Sequence, residues 1–145
     1  MVHAMRYVAT LLLLAWMAIG LGLTLGPGDP LPGQVVTDNF IPFHTIGIYL
    51  ANLRSAFWLT QAIGNLLLLM PIGLLGPVAL PWLARWWRVL LIAGAVSVTI
   101  EAVQGAWLAD RAADVDDVML NVLGAMLGYS VLRLATPSRR ASQPG

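Results

Sequence analysis

Carboxylates, amides and one guanidinium recur at helical spacing in the carboxy-terminal part of this chain. Arg111, Asp114, Asp117, Asn121, Gly124 and Gly128 follow one another at intervals of 3, 3, 4, 3 and 4, which places them along one stripe of a helix. Upstream, Ser97, Glu101 and Gln104 are 4 and 3 residues apart and share a face of their own, while Gln61 and Asn65 lie one turn apart. Carboxylates in such a setting can accept hydrogen bonds, carry protons or ligate a divalent ion, and an arginine beside them can hold a phosphate or carboxylate. Asn65, Glu101, Gln104, Arg111, Asp114, Asp117 and Asn121 are therefore the candidate ligand-binding set. Glu101 is the candidate catalytic proton carrier, and Asp114 and Asp117 are the candidate metal ligands. The reading requires no cofactor; an ion bound by oxygen donors alone would be Mg²⁺ or Ca²⁺ sooner than zinc.

The surroundings of these residues make them informative. Of the 145 residues 59% are hydrophobic and 10% charged, against roughly 25% charged in an average soluble domain. Polar groups within long apolar segments are costly and are usually retained for function. A net charge of +1 and the lack of a basic run interleaved with aromatics argue against nucleic acid as a partner. With no cysteine, thiol chemistry, thiolate metal sites and disulfides are excluded.

The charged residues divide the chain into four apolar windows, at about residues 7–25, 57–75, 87–107 and 114–134. Each approaches the roughly 20 residues needed to cross about 30 Å of hydrocarbon. The expected fold is an all-α membrane protein, a four-transmembrane-helix bundle occupying residues 1–135, followed by a disordered tail over 136–145. The first window exceeds the roughly 7–15 apolar residues of a signal peptide, so a retained span is expected. Pro71, with Gly73 and Gly76 after it, predicts a kink or early helix end in the second span.

Arg6, Arg85, Arg88, Arg133, Arg139 and Arg140 fall on one side of these spans, and Arg54 and Arg111 on the other. Positive residues accumulate on cytoplasmic flanks, so both termini are expected in the cytoplasm. Glu101 lies 14 residues beyond Trp87, about 21 Å along a helix and so in the outer third of the bilayer. Asn65 and Asn121 fall at a similar depth on the second and fourth spans. The loop string from Asp38 to Thr45 is expected in the outer interface, partly covering the polar groups.

Structural roles compete with functional ones at each position. Asp114 fits a helix N-cap with Asp117 opposing the helix dipole. Asn65 and Asn121 fit interhelical hydrogen bonds, and Glu101 could pair with Arg111. Gly22/Gly26 and Gly124/Gly128 are GxxxG pairs that serve close helix packing and offer faces for a homo-oligomer.

The same residues resemble a known family, the VanZ-like membrane proteins, named for an accessory factor of teicoplanin resistance. The resemblance is carried by Asn65 with Pro71-Ile72-Gly73, by Ser97 through Gln104, by Arg111 followed by Asp114-Val-Asp116-Asp117 and Asn121, by Gly124 and Gly128, and by the loop string Asn39-Phe40-Ile41-Pro42-Phe43. It spans roughly Asp38 to Tyr129. It implies a helical module of the bacterial cytoplasmic membrane, and a link to glycopeptide susceptibility for the named member.

The residues point to a protein that binds a lipid headgroup or a lipid-linked cell-wall precursor in an outward-facing polar pocket, with its chemical modification as a secondary reading and membrane lipids as its other partners. No GxSxG or HExxH signature is present, so an enzyme is the less favoured reading. The alternatives are a small proton-coupled transport unit built on Glu101, and a purely structural or interaction module.

Overall fold

The computed structural model describes residues 1–26, 37–108 and 111–136. Apart from Thr136, the tail lies outside these residues. Among the described residues, four helical stretches are long and apolar enough to cross a membrane: Val2–Thr24, Ala56–Ala79, Trp86–Trp107 and Val115–Ala135. The first is α1, and a short helix α2, His44–Ala51, precedes the second. The second stretch is two helices, α3 (Ala56–Leu68) and α4 (Met70–Ala79). A 3₁₀ turn, Pro81–Ala84, leads into α5 (Trp86–Trp107), and α6 (Val115–Ala135) closes the bundle.

The break between α3 and α4 follows from Pro71, which has no N–H to offer the Leu67 carbonyl and crowds the preceding turn. The Ile72 N–H turns to Leu69 O at 3.0 Å, which leaves Leu68 O without its helical donor. Trp16 Nε1 of α1 donates to Leu68 O at 3.1 Å instead. A proline-induced loss inside one helix thus becomes the tie that docks another. In a low-dielectric interior an unmade bond at that carbonyl would be costly.

Helix α6 is the centre of the bundle and packs against α3, α4 and α5, while α1 lies against α4. Its glycines permit that density. A Cβ on Gly124 would collide with Leu66 O, and one on Gly128 with Met70 O, both beside the α3–α4 break. From the other side, a Cβ on Gly73 would collide with Ala125 O. Backbones this close gain dispersion contacts and Cα–H···O interactions in place of side-chain packing. Leu69, Val89, Ala93 and Ala125 beside this seam are fully buried.

The Gly124/Gly128 pair thus serves the close helix packing expected of it. Both glycines are buried against the chain's own α3 and α4, so that stripe is not open to a second copy. Gly22, by contrast, meets nothing within 4 Å, and α1 leaves most of its length exposed.

Candidate functional site

The acidic residues gather at one end of the bundle, where the start of α6, the end of α5 and the segment from Asp38 to α2 meet. Asp114 is the N-cap of α6, its side chain accepting from Asp116 N, as its position before an apolar run predicts. The same carboxylate does more than cap. Its Oδ1 also accepts from Asn39 Nδ2 at 2.9 Å, and its Oδ2 accepts from the Thr45 hydroxyl. Backbone bonds run alongside: Asn39 N donates to Ala113 O at 2.8 Å and Val115 N to Asn39 O at 3.0 Å, a short parallel bridge. Asp38 Oδ1 accepts from Ala113 N at 2.9 Å.

Asp116 completes the attachment. It is fully buried, and its two oxygens accept from Phe43 N at 2.6 Å and Ile46 N at 3.0 Å. These are first-turn donors of α2, whose N-cap position is held by Phe43, a residue with no side-chain acceptor. Phe43 sits in the left-handed region with φ 67°, a conformation that costs a bulky L-residue roughly 1–2 kcal/mol. Asp116 therefore supplies from α6 the cap that α2 lacks, and the left-handed turn aims the N–H groups at it. The segment from Asp38 to Ala51 becomes a strap pinned by two aspartates.

Below the strap lie two further acids, Glu101, which it does not touch, and Asp117, which it meets through one side chain. Glu101 is buried, at 6% exposure, and its Oε2 accepts from Asp114 N at 2.8 Å. Asp117 Oδ1 accepts from Tyr49 Oη of α2 at 3.2 Å, and Asn65 of α3 lies near the same carboxylate. Burial, and after it the neighbouring Asp117 charge, push the Tyr49 phenol well above its ordinary range, so it stays a donor. Tyr49 also packs against Trp58, with ring centroids 6.0 Å apart.

Arg111 lies near enough to Glu101 for electrostatic attraction, and its Nε is buried with no hydrogen-bond partner among the described residues. Gln104, on the Glu101 face of α5, donates from Nε2 to Thr24 O at the end of α1, 3.1 Å away. Asn121 is set deeper: fully buried, it donates from Nδ2 to Ser97 Oγ at 2.9 Å, and its Oδ1 has no partner among the described residues.

The structure thus divides the residues predicted from sequence. Glu101 and Asp117 lie beneath the strap, the first against the start of α6 and the second against Tyr49. Asp114 is committed to the strap and to capping, Gln104 to α1, and Asn121 to a seam beneath. Of the two candidate metal ligands, Asp114 already has both oxygens engaged, and no group of three histidine or acidic side chains with metal-binding geometry occurs among the described residues. The residues that sequence reasoning missed are Asp116, Thr45 and Tyr49. Asp116 falls off the stripe of three- and four-residue steps; the usable signal was a helix start at Pro42-Phe43-His44 with no capping side chain of its own.

A family model described as VanZ/LLP1 matches residues 8–136, nearly the whole chain. The chain belongs to the VanZ/LLP1 family. Neither the curated proteins nor the solved structures provide a match. In this VanZ/LLP1 chain the matched region holds three of the four apolar stretches whole and the first from residue 8 onward, together with the strap and every residue of the acidic cluster.

Proposed function

We propose that this protein binds the polar head of an amphipathic envelope molecule, a lipid or lipid-linked precursor, between the strap and the ends of α5 and α6. The observation that carries the reading is the division of labour among the acids. Asp114 and Asp116 each have both oxygens engaged by the strap, whereas Asp117 meets it only through the Tyr49 hydroxyl and Glu101 accepts from α6 alone. Arg111 would hold the anionic part of the head, and Glu101 and Asp117 its hydroxyl or amino hydrogens. Proton transfer would fall to Glu101, though binding alone accounts for the arrangement.

A transport path finds less support. It would have to continue past Asn121, where Gly124, Gly128, Leu69, Ala93 and Val89 are buried against one another. The acids among the described residues lie at one end only, and an amphiphile would reach them from the leaflet there.

The arginine bias supports an orientation with the acidic end outside a bacterial cytoplasmic membrane and both termini within. The chain has no native cysteine, so single substitutions report cleanly. Ile41→Cys, 67% exposed on the strap, is expected to react with an impermeant maleimide in intact cells. Arg85→Cys at the other end is expected to react only after permeabilisation. The reverse pattern would invert the topology and place the site in the cytoplasmic leaflet.

Binding is tested by mass spectrometry of amphiphiles retained by purified protein. Glu101→Gln preserves an oxygen for Asp114 N and removes the ionisable carboxyl, so the fold is expected to survive while retained ligand falls about tenfold, the equivalent of about 1.4 kcal/mol. Arg111→Ala and Asp117→Asn are expected to act in the same direction.

A further inference from the structure

The end of the bundle opposite the acidic cluster has its own chemistry. Thr24 of α1 meets Gln104 of α5 at the acidic end. Arg6 lies 18 residues back along α1 and Arg85 lies 19 back from Gln104, in each case about 27–29 Å along the helix. Arg6 and Arg85 are therefore level with each other at the far end. Arg133 joins them, because Tyr129 Oη donates to Ala84 O at 2.8 Å and Arg133 is the next turn of α6. That bond draws the Arg133 turn against the 3₁₀ turn that ends beside Arg85.

Arg88 is held in place within this group. Its Nη1 donates to Trp82 O at 2.7 Å, and its guanidinium lies 5.0 Å from the Trp87 ring centroid. A guanidinium fixed through one nitrogen and one face still has donors to direct outward. Trp82, Trp86 and Trp87 around it are exposed, as side chains at a membrane interface are. No acid opposes these charges: Asp38, Glu101, Asp114, Asp116 and Asp117, the acids among the described residues, all belong to the other end.

We propose that Arg85, Arg88 and Arg133, gathered around the Pro81–Ala84 turn, form a binding site for the phosphate of an anionic phospholipid in the leaflet at that end. The arginines supply charge and fork-shaped donors, and the tryptophans lie along the glycerol and upper acyl region. This site is separate from the acidic cluster and answers to different residues, so either can fail alone.

The test uses the full-length protein in nanodiscs of phosphatidylglycerol mixed with phosphatidylcholine, with bound lipid counted by native mass spectrometry. Wild type and Arg54→Gln, a change at the acidic end, are expected to enrich phosphatidylglycerol. The double variant Arg85→Gln/Arg133→Gln alters two exposed side chains and is expected to lose that enrichment by more than tenfold, at about fivefold per arginine. Arg88→Gln is expected to weaken it while the melting temperature of the double variant stays at the wild-type value. Undiminished enrichment in the double variant would overturn the proposal. So would equal stabilisation by inorganic phosphate in a phosphatidylcholine nanodisc, which would mark a simple anion site in place of a lipid one.

Discussion

Asp116→Ala is expected to free the strap from the bundle and to lower stability by about 3 kcal/mol, because bonds to a charged acceptor contribute roughly 1.5–3 kcal/mol each and two N–H groups lose theirs. Phe43 N and Ile46 N have no other acceptor arranged for them, and Asp116 is fully buried. Relief of the left-handed turn at Phe43 would return roughly 1–2 kcal/mol, but only by letting the start of α2 unwind. The loss is therefore local before it is global. Hydrogen exchange of the amides from Phe43 to Tyr49 should speed up sharply while the seam amides around Asn121 stay protected. Asp116→Asn keeps one carbonyl oxygen for two donors and should give an intermediate result. Unchanged protection across α2 in the alanine variant would show that the strap is held by its apolar contacts instead.

The second large effect is expected at Gly124. In an unencumbered helix, glycine to alanine stabilises by up to about 1 kcal/mol. Here the new Cβ would collide with the Leu66 carbonyl, a backbone atom that cannot move aside without shifting α3. Overpacking of this kind costs about 1–3 kcal/mol, and Gly124→Leu should cost more. Gly94→Ala in α5 is the matched control, because nothing lies within 4 Å of its Cβ position. In detergent, Gly94→Ala should raise the melting temperature or leave it unchanged, and Gly124→Ala should lower it. If the two alanines behave alike, the seam at the α3–α4 break is looser than described.

These two positions also mark how far the amino-acid sequence could be read. The spans were legible because a bilayer imposes a length, and the break near Pro71 because a missing N–H has a fixed consequence. Asp114 was legible as a cap because capping is local. Asp116 was not, since its partner Phe43 is 73 residues away and nothing in the spacing of α6 distinguishes it from a first-turn acid facing water. The glycine pairs were legible as close packing but not as to partner, for a related reason. GxxxG announces a close approach without saying to what, and here Gly124 and Gly128 face the chain's own broken helix while Gly22 stays open. Depth along each helix grouped Glu101 with Asn65 and Asn121, yet Asn121 bonds Ser97 in a seam of its own while Glu101 meets the start of α6, and which acids were already engaged by the strap required the strap itself.

The most direct measurement of the central proposal is the amphiphile retained by Glu101→Gln protein, compared with wild type at matched melting temperature. The Asp114 N bond can be made by the glutamine oxygen, so the scaffold persists and only the ionisable carboxyl of Glu101 is removed. The account predicts a folded protein whose retained ligand falls about tenfold. A folded Glu101→Gln protein that carries the same amphiphile in the same amount would contradict it, and would leave the acidic cluster as a device for pinning the strap alone.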